Sequence, residues 1–314
     1  QVGDRWTCTV TVGDSHGGRT TSAVTVEITP SAVDGYDSHR TTDATTTAVG
    51  DVDGNGTLDL LIGNAELATG TSFLHDRVIG SAEIYGVVDG GTFPSPLHRL
   101  MPDRPCDPYT HEVSCGVFEE TGGYDNARFG SSVAASDLDN DGIADVVIGA
   151  PTEGFCDSVG GLTGYAYVFL SGEGALTEDM DGGDAEVRIG GEQVDSQFGG
   201  YAAAVGDVDG DGIDDVVISA SEWVGPSAVT TGRVYVFLGG ELDDSINAAD
   251  ADLIVEGSGT MWSSFGRTLQ SLGDFDGDGT DDFGILDAGS DSLILMTQVA
   301  DFMEGSWLVS SDEP

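Results

Sequence analysis

Four stretches of nine residues place side-chain oxygens at one fixed spacing. They are Asp51-Val-Asp53-Gly-Asn55-Gly-Thr57-Leu-Asp59, Asp137-Leu-Asp139-Asn-Asp141-Gly-Ile143-Ala-Asp145, Asp207-Val-Asp209-Gly-Asp211-Gly-Ile213-Asp-Asp215 and Asp274-Phe-Asp276-Gly-Asp278-Gly-Thr280-Asp-Asp282. Positions 1, 3, 5 and 9 offer side-chain oxygens and position 7 a backbone carbonyl, a donor set that wraps one hard cation such as Ca2+. Glycine at position 6 (Gly56, Gly142, Gly212, Gly279) allows the sharp turn such wrapping needs. An ordinary polar turn uses Asp and Gly for geometry alone and has no need of carboxylates held at these four places. We therefore expect about four structural Ca2+ ions, with the loop carrying Asn55 binding more weakly because it lacks one charge. Without a cation the clustered carboxylates repel one another, so each loop is expected to loosen on chelation.

Each loop runs into an apolar strand: Leu60-Leu-Ile62-Gly63, Asp145-Val-Val-Ile-Gly-Ala150, Asp215-Val-Val-Ile-Ser-Ala220 and Phe283-Gly-Ile-Leu286. A helix–loop–helix calcium site would instead need flanking helices and a bidentate Glu at position 12. Position 12 is Ile62, Ile148, Ile218 and Ile285, strand residues of a core, so that reading is rejected. An aromatic-glycine pair precedes three of the loops (Phe129-Gly130, Phe198-Gly199, Phe265-Gly266), and a glycine-led aromatic strand follows two, Gly164-Tyr-Ala-Tyr-Val-Phe169 and Gly232-Arg-Val-Tyr-Val-Phe237. Loop starts lie 86, 70 and 67 residues apart. Each repeat thus holds about four short strands and no helical period, the pattern of a β-propeller blade. The repeating aromatics are read as core between blades, in preference to a sugar-stacking platform.

The combined pattern, Phe-Gly, then Asp-x-Asp-x-Asp-Gly-x-x-Asp, then Gly-x-x-Tyr-Val-Phe, resembles the FG-GAP repeat, the blade of the integrin alpha-chain propeller. The resemblance covers roughly residues 40–300 and implies an all-β propeller with four recognisable repeats, about 46–118, 119–190, 191–258 and 259–314. It implies that each acidic loop joins neighbouring strands of a blade and holds Ca2+ as a clamp, not as a sensor or catalyst. FG-GAP propellers normally close with seven blades. Four blades are consistent with closure at four, with part of a longer chain, with further degenerate blades, or with completion by another subunit.

Ahead of the repeats, residues 1–30 alternate with period 2 through Trp6–Val12 and Ala23–Ile28 around a turn at 13–18, which predicts a β-hairpin. It resembles the last two strands of a bacterial immunoglobulin-like surface domain. A lone hairpin is marginal in water, so more protein is expected before Gln1, or the hairpin packs elsewhere. Residues 31–45 read as a Thr/Ser/Asp-rich linker.

Composition restricts the partners. Across 314 residues there are 56 acidic and 10 basic residues, a formal net charge of −46. All ten basic residues are arginine, and 39% of the chain is hydrophobic. Such a surface repels nucleic acid and anionic lipid, and no apolar run is long enough to span a bilayer. Four dications would offset only eight of the negative charges, so the surface is acidic in its own right. Salt screening of that self-repulsion makes a saline habitat a plausible origin.

Cys8, Cys106, Cys115 and Cys156 allow three pairings. Cys106–Cys115, bracketing a short Pro/Tyr/His segment, is preferred, with Cys8–Cys156 then left over. No Cys-x2-Cys pair supports zinc. Asn55-Gly-Thr57 is a glycosylation sequon, but a side chain turned into a cation loop cannot carry a glycan. Gly13-Asp14-Ser15 reads as a turn, not a nucleophile, and the five histidines have no triad or metal spacing. The inserted segment 94–115, with His98, Arg99, Arg104, Tyr109 and His111, is a candidate recognition loop.

These features point away from catalysis. They predict a secreted or cell-surface calcium-stabilised module that meets a protein or glycan partner, with no nucleic-acid binding and no membrane insertion. The alternatives are an accessory propeller of a secreted hydrolase and a self-assembling subunit of an extracellular filament.

Overall fold

The structure, a computed structural model, describes residues 5–13, 19–27, 46–65, 68–69, 77–78, 80–86, 96–102, 127–153, 163–172, 176, 179–227, 229–240, 242, 245–257, 265–287, 292–297, 299 and 309–310. For 5–13, 19–27, 68–69, 77–78 and 309–310 it describes the backbone only. The regular elements are strands almost throughout, as the alternating and fully apolar runs dictate. Arg5–Gly13 and Arg19–Glu27 form the expected antiparallel hairpin, with the second strand starting a few residues earlier than its apolar alternation suggests.

Four antiparallel sheets follow. Blade 1 uses Thr46–Gly50, Asp59–Asn64, Ser81–Gly86 and His98–Met101, in that spatial order. Blade 2 uses Ser132–Ser136, Asp145–Ala150, Tyr165–Phe169 and Val187–Gly190. Blade 3 uses Phe198–Gly206, Asp215–Ala220, Arg233–Phe237 and Leu253–Glu256. In blade 4 the described strands are Leu269–Gly273, Asp282–Asp287 and Ser292–Met296. The first strands of successive blades lie against one another.

Each blade also stitches itself to the one before. The chain between the third and fourth strands of blade 2 sends Met180–Asp181 to pair in parallel with His98–Met101 on the outer edge of blade 1. Ser245–Asn247 does the same from blade 3 to blade 2, and Val309–Ser310 extends blade 3. A paired edge is closed to stray strands.

The apolar core lies between the sheets and forms three clusters. One joins blades 1 and 2 (Leu61, Ile84, Phe129, Ile148, Tyr167, Phe169), the next blades 2 and 3 (Val147, Val168, Phe198, Ile218, Tyr235, Phe237), and the third blades 3 and 4 (Val217, Val236, Phe265, Phe283, Ile285). Successive residues of a strand face opposite ways. Val146 and Ile148 therefore enter the first cluster while Val147 enters the second. This explains why the second strands of blades 2 and 3 are buried along their whole length and read as continuous apolar runs.

The Phe-Gly pairs hook one blade onto the preceding one. A Cβ on Gly149 would sit 1.8 Å from the Gly199 carbonyl oxygen, and one on Gly164 would sit 2.2 Å from that of Phe198. Only glycine permits that backbone approach, and the Phe198 ring fills the gap beside Tyr235 at 5.4 Å in an edge-on arrangement.

Candidate metal centre

Every acidic loop joins the first strand of a blade to its second. Four hydrogen-bond patterns, all satisfied within the loop, set its shape. The position-9 carboxylate, buried at the start of the second strand, accepts from the amide of position 2: Val52 to Asp59 at 3.1 Å, Leu138 to Asp145 at 2.7 Å, Val208 to Asp215 at 2.8 Å and Phe275 to Asp282 at 2.7 Å. In the first three loops position 1 accepts from the amides of positions 5 and 6, as Asp137 does from Asp141 at 3.0 Å and Gly142 at 2.9 Å. Position 3 accepts from the amide of position 5 in all four. The position-6 glycines have φ between 83° and 104°, the left-handed region this turn demands.

This framework gathers the carboxylates. Asp51, Asp53 and Asp59 each bring one oxygen within 4.8 Å of the others, as do Asp137, Asp139 and Asp145; Asp207, Asp209 and Asp215; and Asp274, Asp276 and Asp282. Position 5 stands outside that grouping. Asn55, Asp141, Asp211 and Asp278 each turn Oδ1 back to accept from the amide of position 7, at 2.8, 2.8, 2.8 and 2.9 Å. Asn55 also donates its side-chain amide to Asp53 at 2.7 Å. Thr57, Ile143, Ile213 and Thr280 follow at position 7.

The electrostatics are those of clustered anions. Among the described residues, Arg99, Arg188, Arg233 and Arg267 form ion pairs with glutamates (Glu83, Glu153, Glu192 with Glu256, and Glu222). Burial pushes Asp59 and Asp145 up to about 6 and Asp215 up to about 7, against lowering by their amide donors; neighbouring loop carboxylates add to the rise. Asp139 and Asp209 also shift upward through burial. One oxygen each of Asp59 and Asp282 is buried with no hydrogen-bond donor. A buried carboxylate so placed is costly unless a positive charge compensates it. The donor set is all oxygen, so the residues fit a hard dication.

The loops are also joined to one another, which the spacing alone does not reveal. The amide of position 8 donates to the position-1 carbonyl of the preceding blade: Ala144 to Asp51 at 2.9 Å, Asp214 to Asp137 at 3.3 Å and Asp281 to Asp207 at 2.7 Å. Position 2 carbonyls are held too, Val52 by the Leu176 amide and Leu138 by that of Gly240. The position-7 side chain of one loop covers the position-4 glycine of the loop before, Ile143 over Gly54 and Thr280 over Gly210. A small residue at position 4 is the signal that would have marked this contact.

Outside the loops, His98 and Arg99 lie on the fourth strand of blade 1, where Arg99 meets Glu83 at 2.8 Å. Arg104, Tyr109, His111, Cys106, Cys115 and Cys156 fall outside the described residues, as does the disulfide pairing; of the expected recognition loop 94–115, His98–Met101 is a blade strand and not a loop. No helix among the described residues is long and apolar enough to cross a membrane.

Residues 129–169 and 199–237 match the FG-GAP repeat family, and each match runs from the aromatic-glycine pair region through the loop to the third strand. These segments are FG-GAP repeats. The chain is 30% identical over 186 residues to integrin alpha-4 of Xenopus laevis, covering 57% of this chain and 16% of that one. It is 33% identical over 168 residues to integrin alpha-5 of Xenopus laevis, covering 52% and 14%. Against integrin alpha-8 of Gallus gallus it is 28% identical over 234 residues, covering 72% and 19%. The chain thus spans less than a fifth of the length of these curated relatives. The integrin alpha-like, all-β blade architecture expected from the motifs is the one found.

Proposed function

We propose that this chain is a calcium-stabilised, extracellular β-propeller module that serves adhesion or structural assembly at the cell surface. The observation that carries the reading is the fourfold recurrence of three carboxylates within 4.8 Å of one another on an identical loop. Ca2+ would be held by positions 1, 3 and 9 with the position-7 carbonyl, and by position 5 after rotation away from its own loop amide. A bound dication supplies charge that the loop cannot supply itself. The chain's part is to fix the oxygens, bury position 9 and tie each loop to the next blade. The loops sit where blades join and turn their carboxylates onto their own backbone amides, which supports a clamping role without catalysis. The partner is a surface protein or glycan met on the blade faces, with no nucleic acid and no bilayer insertion.

Thermal melts with Ca2+ and with excess EDTA test the reading. Chelation is expected to lower Tm by several degrees or more, because cation bound only to the folded state adds to its stability. Equal melting in both conditions overturns the calcium role. Binding of labelled protein to cell surfaces, lost in EDTA and regained on recalcification, tests the adhesive part separately.

A further inference from the structure

Of the four acidic loops, that of blade 1 alone has an amide side chain at position 5, and glycine follows it: Asn55-Gly56. Such a pair sets an electrophile beside a nucleophile. The backbone nitrogen of the following residue can attack the side-chain Cγ, and glycine, with no side chain of its own, leaves that nitrogen open. The loop arranges the parts for this attack. Asn55 Oδ1 accepts from the Thr57 amide at 2.8 Å and also from the Thr57 hydroxyl, so two donors sit on the oxygen that gains negative charge as Cγ becomes tetrahedral. Asn55 Nδ2 donates to Asp53 Oδ2 at 2.7 Å, which fixes the other end of the amide. The side chain is thus folded back over its own following peptide as an Asx turn. Gly56 N donates to Asp51 Oδ2 at 2.8 Å, which holds the nucleophile in place. A Cβ on Gly56 would meet nothing within 4 Å, so the site has room for a cyclic imide.

Access of water to this site does not depend on what precedes blade 1. Positions 5 and 6 are exposed at Asp141 and Gly142 and at Asp211 and Gly212 as well as at Asn55 and Gly56, although blades 2 and 3 have a blade on either side. The other loops also isolate what is particular to this one. Ile143 and Ile213 at position 7 give position 5 a backbone amide and have no hydroxyl to add. Thr280 does give Asp278 a hydroxyl, at 2.7 Å, but the acceptor there is already a carboxylate.

We propose that Asn55-Gly56 is a self-deamidating site, at which the loop of blade 1 converts its own position-5 amide into a carboxylate and so completes the pattern of the other three loops. The Gly56 nitrogen bonds to Asn55 Cγ and gives its proton to water. The Cγ–Nδ2 bond breaks, and Nδ2 takes a proton from water and leaves as ammonia. Water then adds to Cγ of the imide and the bond to the Gly56 nitrogen breaks, which restores the peptide and leaves an aspartate side chain. One water is consumed and one ammonia released, with no change in oxidation state. Opening at the main-chain carbonyl instead would insert a methylene between residues 55 and 56. That would separate two amides that Asp51 holds together, so the folded loop favours the normal aspartyl linkage. The inference does not rest on the calcium reading, since the reaction needs only the loop and water.

Peptide mapping by mass spectrometry, with the two aspartyl isomers separated by chromatography, reads the conversion over time. The freshly prepared whole chain is incubated folded in EDTA, and in parallel denatured in urea. The folded chain is expected to convert several-fold faster than the denatured one and to give mainly the normal linkage, whereas an unstructured chain gives mainly the β-linked isomer. Thr57→Ile installs the position-7 residue of blades 2 and 3 and removes the hydroxyl donor, and it is expected to slow conversion about tenfold. Thr57→Ser keeps the donor and is expected to convert at the wild-type rate, and an unchanged melt checks that each variant is folded. A folded chain that converts no faster than the denatured one overturns the proposal. So do equal rates in wild type and Thr57→Ile, or a mainly β-linked product from the folded chain. Equal melting with and without Ca2+ alongside this conversion would sink the function proposed above and leave the deamidation standing.

Discussion

The acidic loops of blades 2 and 3 share a sequence pattern with those of blades 1 and 4 but not an environment. Asp145 has both oxygens held, Oδ2 by the Leu138 amide and Oδ1 by the amide of Ser171 at 2.8 Å and its hydroxyl at 3.0 Å. Asp215 is held likewise by the amides of Val208 and Gly239, both within 2.9 Å. Among the described residues, no donor reaches one buried oxygen each of Asp59 and Asp282. The inner pair is thus a structural hub even without a cation, tying the loop to the chain that leaves the third strand. The outer pair leans more on whatever positive charge the loop captures. Identical motifs therefore need not make identical contributions to stability.

Alanine at position 9 breaks this comparison most forcefully. Measured in EDTA, so that no bound cation contributes, Asp145→Ala leaves the buried Leu138 and Ser171 donors without an acceptor. The expected loss is about 2–3 kcal/mol, from two buried amides left without an acceptor. Asp282→Ala strips only the amides of Phe275 and Asp276, on the side of the molecule where Phe275 is already exposed, and about 1–2 kcal/mol is expected. Chemical denaturation of the two variants gives the difference directly. Equal losses would mean that the donor count at position 9 is irrelevant.

Proton binding sharpens the same contrast. Amide donors favour the ionised form and burial disfavours it. Asp59, Asp145 and Asp215 are pushed up to about 6, 6 and 7, with and without a donor on the second oxygen, so at each of them burial outweighs the amide donors. Because these folded-state values lie above the ordinary carboxylate value of 3.8, the folded chelated protein binds more protons than the unfolded chain between pH 4 and 7. Its stability in EDTA is therefore expected to rise as pH falls from about 7.5 to about 5, by roughly 1–2 kcal/mol per carboxylate. In Ca2+ the trend reverses, since protons compete for the oxygens the cation needs. Denaturation midpoints against pH, with and without EDTA, check both signs, and parallel profiles would contradict the scheme.

Much of this was legible in the residues. Fixed spacing gave the loops, the doubled period of the apolar runs gave the strands, and recurrence of Phe129-Gly130, Phe198-Gly199 and Phe265-Gly266 gave the blades. Relations between repeats stayed hidden because they are carried by backbone groups, whose partners no side-chain type announces. The Asp214 amide on the Asp137 carbonyl and the parallel strand Ser245–Asn247 on blade 2 are of this kind. Position 5 was hidden for another reason. A carboxylate two residues before an amide has a local partner as well as a distant one, and here Asp141, Asp211 and Asp278 take the local one.

That local choice sets the finest expected effect. Asn55 is the one position-5 residue that can donate, and it spends its amide on Asp53, itself one of the grouped carboxylates. Neutral Asn55 thus lowers the charge of loop 1 and occupies an oxygen that a cation would use. Asn55→Asp removes that donor and restores the sequence of the other three loops. Carboxylate repulsion in the chelated state then increases, so the variant is expected to melt slightly lower in EDTA, by about 0.5 kcal/mol or less for an exposed site. In Ca2+ the order inverts, with loop 1 binding more tightly by several-fold, because ligand charge is one of the quantities that tunes such loops. Calorimetric titration resolves the weakest class of sites in the wild type and shows it merging with the others in the variant. If a distinct weak class survives Asn55→Asp, its weakness lies in the bare oxygen of Asp59 and not in position 5, and the inner–outer contrast would then rest on position 9 alone.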